Sequence, residues 1–356
     1  MAIPQYMALA ISPNMVGAEE REDIKNNIAH ISDVIDAAIW LSGIEMNVRL
    51  ITIPEGALQG FTDEMFDWDH LEMVDKLAMS LPGEETELLG KKAKEYNAFI
   101  VAQAKVINPD IPNRFFNSAF LIGPKGDVIL KSTKMQVFAR EHSTVPHDMW
   151  DKWLELYGYN MDAFYPVADT EIGRIGLMVC QEGDYPEPAR GLAMNGAEII
   201  YRSSCPEPSA ANGWWEVQNR ARALDNTCYL IAPNVACYYP NKRAKMSVDV
   251  FGGQSMVVDY HGQVISNHRY GGNASYAGAI LDIESLREYR ETSLFGNWMK
   301  DLRTEQYKLI YEQPIFEKNL CMDRTPLRHA GTDELYKASI KRLIDRGIWV
   351  QSSKSK

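Results

Sequence analysis

Three residues able to do nucleophilic or acid–base chemistry each follow an apolar run that reads as a strand. Glu55 follows VRLITIP (48–54), Lys134 lies just beyond the strand-like segment Asp127–Lys131, and Cys180 closes IGRIGLMV (172–179). Strand ends and loops are where α/β scaffolds display reactive groups. A thiol, with an ordinary pKa of about 8.5, needs a base or a cation beside it to act as a nucleophile at neutral pH. A carboxylate can take its proton. An ammonium can stabilise both the thiolate and the oxyanion formed when that thiolate attacks a carbonyl. Taken singly, each residue has a plainer reading: Cys180 as a buried core thiol, Glu55 as a cap, Lys134 as a solvated surface charge.

The elements that must position these groups alternate along the chain. Met7–Ser12 is a short apolar run ending at Pro13 and predicts a buried first strand. Between Arg21 and Leu41, Ile24, Ile28, Ile31, Ile35 and Ala38 recur at helical steps. Val48–Ile53 predicts a strand that Pro54 stops, and the turn Pro82-Gly83 opens a helix over Glu84–Tyr96 that leads into a strand at Ala98–Ala104. Ser118–Gly123 and Asp127–Lys131, separated by Pro124-Lys125-Gly126, read as a hairpin. Residues 135–165 are irregular and long for a loop without a function or short helices of its own. The prolines of PEPARGLAMNGAE (186–198) suit a helix start and Gly196 a helix stop, which puts Cys180 in a strand-to-helix turn. A strand at Glu198–Arg202, a helix around Trp215–Asn226, a strand at Cys228–Pro233, a hairpin of Gln254–Asp259 with Gly262–Ser266 and a strand at Ala279–Asp282 continue the pattern. Residues 1–290 therefore read as one α/β domain, and 291–356 as a less regular extension that packs in the interface of an oligomer.

Composition excludes several function classes. The 356 residues are 46% hydrophobic and 24% charged, which fits a folded water-soluble chain and not a disordered or fibrous one. The 37 basic residues against 48 acidic give a net charge of −11, which repels nucleic acid and anionic membranes, so neither is an expected partner. The start MAIPQYMALAISPN lacks the basic segment and long apolar run of a signal peptide, and a cytoplasmic location is expected. Five widely spaced cysteines, Cys180, Cys205, Cys228, Cys237 and Cys321, fit neither a disulfide framework nor a zinc motif. Cys205, Cys228 and Cys237 read as core thiols, with Cys205 the one expected on the same side of the sheet as Cys180.

The contexts of the three reactive residues resemble the nitrilase superfamily of carbon–nitrogen hydrolases. PEGALQGF (54–61) is similar to its glutamate motif, LKSTK (130–134) to its lysine motif and MVCQEGDYPEPARGLAMNGAEII (178–200) to its cysteine motif. The last is the most specific and is nearest to the aliphatic amidase and formamidase branch. The order Glu, Lys, Cys also agrees, over residues 5–290. The resemblance implies a four-layer αββα sandwich in which Glu55 is general base, Cys180 nucleophile and Lys134 the stabiliser of the tetrahedral intermediate. It further implies a second glutamate, matched by Glu141, with Glu155 the weaker competitor. No metal or organic cofactor is implied, and a homo-oligomer is.

Substrate class is less sharply marked. N-carbamoyl amino acid hydrolases have a lysine-to-cysteine interval as long as the 46 residues here, but they place arginines three and four residues after the nucleophile, where this chain has Gly183 and Asp184. Arg202 is the residue that could replace them. Glu182 departs from the usual amidase aspartate and leaves nitrile hydrolysis open, and Gly56, in place of a tyrosine common in formamidases, is expected to widen the pocket. Trp214 and Trp215, together with Tyr201, are candidates for an aromatic wall against the acyl group, and Tyr185 is a further candidate substrate-binding residue. A linear carboxamide is the leading substrate, with water as co-substrate; a carbamoyl amino acid, a nitrile and a catalytically silent scaffold are the alternatives. His142, His147 and Asp148 hold ligand-like chemistry in a short span without a fourth ligand at helical spacing, so this stretch is expected to be an active-site flap and not a zinc site.

Overall fold

Period-two alternation in the first strand divides its side chains between two cores. In this computed structural model, which describes residues 2–205 and 212–355, Met7, Leu9 and Ile11 enter one core and Tyr6, Ala8 and Ala10 the other. The strands in chain order are β1 (Tyr6–Ser12), β2 (Asn14–Val16), β3 (Val48–Thr52), β4 (Phe99–Asn108), β5 (Ile111–Ile122), β6 (Val128–Thr133), β7 (Val167–Thr170), β8 (Gly173–Val179), β9 (Ile199–Ser203), β10 (Tyr229–Ala232), β11 (Cys237–Tyr239), β12 (Ser255–Val258), β13 (Val264–His268) and β14 (Ser275–Leu281). They form two six-stranded sheets, ordered β14-β1-β3-β4-β5-β6 and β13-β12-β10-β9-β8-β7, with a small ribbon of β11 and β2.

Each sheet has a parallel centre and antiparallel edges. Leu9 pairs with Ile51 and Ile51 with Ile100 in the first sheet; Ile175 pairs with Ile199 and Leu230 with Ile200 in the second. The apolar stripe of the helix Arg21–Ser42 (Ile24, Ile28, Ile31, Ile35) and Leu89 and Ala93 of the helix Glu84–Tyr96 cover the outer face of the first sheet. The helices Pro186–Met194 and Trp214–Asn226 cover the second sheet through Leu192, Ala193, Trp215 and Ala223. Val101, Leu121, Ile175, Leu177, Val179, Tyr201 and Ile231 fill the space between the sheets. The layers are thus αββα, the sandwich expected from the sequence.

Buried hydrogen bonds lock one sheet over the other, the Tyr6 hydroxyl donating to the Ile172 carbonyl at 2.8 Å among them. Ser132 Oγ donates to the Leu177 carbonyl at 3.1 Å, Ser12 Oγ lies 2.6 Å from Ser255 Oγ, and the Tyr201 hydroxyl donates to the Ile53 carbonyl. Each contributes about 1 kcal/mol while intact and costs more if one partner is removed. The Ser132 and Tyr201 bonds lie within a few residues of Lys134, Cys180 and Glu55, so the register of the reactive ends is set by the sandwich itself.

Two regions differ from the sequence expectation. The strand predicted at Ala98–Ala104 continues to Asn108 and returns as the 12-residue β5, paired antiparallel with Gln103 opposite Ala119. Gln103, Lys105, Asn113, Arg114 and Asn117 interrupt the apolar pattern and hide this hairpin. Lys105 can be buried there because Asp63 and Glu64, on the short helix Thr62–Met65, each hold its ammonium at 2.6 Å. The tail is more regular than expected and carries the helix His329–Asp345. It packs back on the body, where Arg140 pairs with Asp333 at 2.6 Å and Cys321 joins Ile111, Phe116, Met149 and Trp153 in a small core. The irregular stretch 135–165 contains a 3₁₀ turn, Pro146–Met149, and two short α-helices, Trp150–Tyr157 and Met161–Phe164.

Candidate active site

Parallel strands β3 and β8 end on the same side of the sandwich, and each hands the chain to a turn that carries a reactive group. Glu55 follows β3 and is buried; Cys180 follows β8 and is half-buried, at the start of a single 3₁₀ turn. Cys180 has φ +50°, a left-handed conformation that a side chain bearing Cβ adopts only where its surroundings enforce it. The enforcing group is Glu182. Its carboxylate accepts the Val179 N–H at 2.7 Å and the Met135 N–H at 3.0 Å, tying the end of β8 to the residue after Lys134. Burial pushes the Glu182 carboxyl up to about 7, against the pull of those two N–H groups.

Lys134 enters from the edge strand β6, fixed by its own N–H on the Asn117 carbonyl at 2.8 Å. Its ammonium lies 3.0 Å from Glu55 Oε1 and 2.6 Å from Glu141 Oε2, with all three groups buried. Burial opposes each charge, but the mutual attraction prevails: Lys134 is held well above the ordinary lysine range and Glu141 below the ordinary carboxylate range. An ammonium has three N–H donors, so two go to the carboxylates and one is left for a ligand.

Asn117, from the middle of β5, completes the network. Its amide donates to Glu55 Oε1 and to Glu141 Oε1, both at 2.9 Å, and its carbonyl accepts from Gln103 Nε2 at 2.7 Å. Gln103 Oε1 in turn accepts the Gly56 N–H at 2.9 Å. Glu55 Oε1 is therefore saturated, whereas Oε2 faces the thiols. Cys205 Sγ is 3.5 Å from Oε2, and a Glu55 carboxylate oxygen, Cys180 Sγ and Cys205 Sγ all lie within 4.8 Å of one another. The hydrogen bond with Cys180, then burial and the Glu55 charge, push the Cys205 thiol well above the usual range. Such an arrangement can pass a proton between a thiol and a carboxylate while a cation waits beside both.

The structure brings Glu55, Lys134, Glu141 and Cys180 together, and Cys205 with them. Glu155 is elsewhere, exposed and paired with Lys152 at 3.1 Å. The aromatic candidates do not converge on the reacting groups. Trp215 is buried in the outer core with its indole N–H on the Gln254 carbonyl at 2.9 Å, and Trp214 is 61% exposed at the start of the helix Trp214–Asn226. Tyr185 caps the helix Pro186–Met194 and is part-exposed. Arg202 is not free to hold a substrate carboxylate. Its guanidinium stacks 4.8 Å over Trp215 and is used by Asp184 Oδ1 at 2.8 Å, Asn219 Oδ1 at 2.8 Å, Gln218 Oε1 at 3.0 Å and the Cys180 carbonyl at 3.3 Å. Burial shifts both ions of this pair toward neutrality, Arg202 down to about 10 and Asp184 upward, so their attraction only partly offsets desolvation. Asp184 thus braces Arg202. A Cβ at Gly183 would fall inside the same guanidinium.

Gly56 does not widen the pocket. It has φ +74°, and a Cβ there would meet the Phe61 ring and Met15 Sδ, which already fill that space. Asn117, Gln103 and Glu182 are the site residues that sequence reasoning missed as a network. For Gln103 and Asn117 the signal was present as polar residues inside otherwise apolar runs, AFIVAQA and FFNSAFLI, which only a buried network would justify.

The sequence model described as Carbon-nitrogen hydrolase matches residues 13–291. The chain is 27% identical over 270 residues to a formamidase of Bacillus cereus (strain Q1), covering 75% of this chain and 71% of that one. It is 29% identical over 214 residues to omega-amidase NIT2-B of Xenopus laevis, covering 60% of this chain and 72% of that one. Among solved structures, the carbon-nitrogen hydrolase from Helicobacter pylori G27 superposes with a TM-score of 0.64 at 19% identity, covering 86% of this chain and 99% of that one, a likeness of fold.

Proposed function

The chain belongs to the carbon–nitrogen hydrolase family, and from that premise we propose that it hydrolyses a linear carboxamide to carboxylate and ammonia through a thioester on Cys180. The observation that carries this reading is the convergence of the Cys180 thiol, the Glu55 carboxylate, whose Oε2 faces the thiols, and the buried Lys134 ammonium, which spends two of its three donors on carboxylates among the described residues. Glu55 Oε2 accepts the Cys180 thiol proton as the sulfur adds to the amide carbonyl. The Lys134 ammonium donates its third N–H to the resulting oxyanion. Glu55 returns the proton to the amide nitrogen, the C–N bond breaks and ammonia leaves a thioester. Water then gives a proton to Glu55 and its oxygen adds to the thioester carbon; the C–S bond breaks, and Cys180 recovers the proton. Glu141 and Asn117 act as positioning residues, holding Lys134 and Glu55 in the geometry this requires.

The similarity to formamidase and omega-amidase supports an amide as substrate. An oligomer is part of the proposal, supported by Leu294, Phe295, Leu309 and Ile310, which the tail leaves exposed. The test is ammonia release from short aliphatic amides, aryl-acetamides, N-carbamoyl amino acids and matched nitriles, each repeated with Cys180→Ala. Release from amides that vanishes in the variant is expected. Release from carbamoyl compounds or nitriles alone would overturn the amide reading, and silence across the panel would favour a scaffold role.

A further inference from the structure

A second set of metal-ligating side chains converges away from the thiols. Asp67 follows the helix Thr62–Met65, His142 is the residue after Glu141, and His329 opens the helix His329–Asp345. One ligand atom from each lies within 4.8 Å of the others. His142 Nε2 is 3.2 Å and His329 Nε2 is 3.8 Å from the same oxygen, Asp67 Oδ1.

The His142 ring is almost fully buried, and its tautomer is set by its neighbour. Nδ1 lies 3.2 Å from the Trp68 carbonyl, a contact that only an Nδ1–H donor satisfies. Nε2 is then a lone pair, and despite its closeness to Asp67 it makes no hydrogen bond. Two acceptors facing each other at 3.2 Å repel unless a cation stands between them. Neutral imidazole and ionised carboxylate are the states that a metal ion requires.

We infer that Asp67, His142 and His329 form a binding site for a borderline divalent cation of the Zn²⁺ class. Imidazole nitrogen and carboxylate oxygen suit such an ion, and tetrahedral ligands about 2.0–2.1 Å from zinc stand roughly 3.4 Å apart, close to the separations seen. The Nδ1–H bond to the Trp68 carbonyl is the outer contact that orients a ligating histidine. Without an ion, His329 Nε2–H donates to the Arg140 carbonyl at 3.3 Å; a bound cation would move that proton to Nδ1, and the carbonyl or a water would supply the fourth position. Arg328 Nε, 3.2 Å from Asp67 Oδ2, keeps the affinity moderate by sharing the carboxylate. His147 and Asp148, the neighbours that sequence grouped with His142, take no part. The ion ties the tail helix to the loop that carries Glu141.

The test uses the full chain carrying Cys180→Ala, so that the thiol cluster cannot claim the ion. After equilibration with Zn²⁺ or Co²⁺ and desalting, bound metal is counted by mass spectrometry and the Co²⁺ form is examined in the visible. One equivalent of Zn²⁺, tetrahedral Co²⁺ bands and a Zn²⁺-dependent rise in Tm are expected. All three should be lost on adding His329→Ala and kept with Arg328→Ala. Asp67→Asn, which retains an acceptor for the His329 N–H, should also lose the metal while circular dichroism shows an intact fold. Failure to retain metal, or retention undiminished in both ligand variants, would overturn the site.

Discussion

Cys205 presents its sulfur 3.5 Å from Glu55 Oε2, the oxygen of that carboxylate which Lys134 and Asn117 leave unused. A second thiol therefore borders the position where the proposed base exchanges protons. Two thiols sharing one carboxylate do not share its benefit equally, because the proton held on Cys205 is the one that Cys180 and burial stabilise.

Alkylation should follow that asymmetry. Iodoacetamide at neutral pH is expected to label Cys180 first, to one equivalent by peptide mass spectrometry, with Cys205 slower by at least tenfold. Equal labelling of both sulfurs would remove the distinction between them.

The base role proposed for Glu55 has a direct kinetic expectation. Glu55→Gln keeps an oxygen for Lys134 and Asn117 but cannot take a proton, so kcat should fall by about 10²–10⁴ with KM little changed. A loss under tenfold would assign the proton to another group.

Removing the buried cation should show in stability as well as rate. Lys134→Met leaves Glu55 and Glu141 sharing Asn117 with no positive charge between them, at a cost of about 3–5 kcal/mol. In the wild type, Glu141 is held low, so its contribution is complete above its unfolded pKa of about 4.3 and is lost as pH falls through its lower folded value. The difference in stability between wild type and variant should therefore be larger at about pH 6 than at about pH 3, measured by urea unfolding. A pH-independent difference would contradict the ionised network.

Glu182 should act in the opposite sense. Its folded value of about 7 lies above the unfolded one, so the folded chain holds the extra proton; this contribution is complete below about pH 4 and is lost as pH rises through 7. Glu182→Gln should flatten that decline and, by leaving one of the Val179 and Met135 N–H groups unmet, destabilise by about 1–3 kcal/mol. An unchanged slope between pH 5 and 7 would place the titration elsewhere.

Much of this was legible in the sequence because strand ends are marked locally. Proline after Val48–Ile53, the glycine-bearing turn before Asp127–Lys131 and the proline-rich start after Cys180 fix where three strands stop, and the alternation of runs implies the layers. The β4–β5 hairpin was not legible, because Gln103, Lys105 and Asn117 serve partners up to dozens of residues distant, Glu55 and Asp63 among them. Nor did local pattern reveal that Arg202 is committed to Asp184 and Trp215, or that Cys205 reaches Glu55, since both depend on how two sheets stack. The tail helix was missed because its burial is slight and its apolar stripe weak, with Ser339 its sole buried residue.

The bare backbone at Gly183 has a consequence for how this specificity could change. Arginines at 183 and 184 would suit a carboxylate-bearing carbamoyl substrate, yet any side chain at 183 collides with the Arg202 guanidinium beneath the Cys180 turn. Such a conversion is order-dependent: Arg202 must be replaced first, and every intermediate along the way inherits an Asp184 stripped of its counter-charge. Laboratory evolution toward carbamoyl substrates should stall unless libraries vary positions 183, 184 and 202 together.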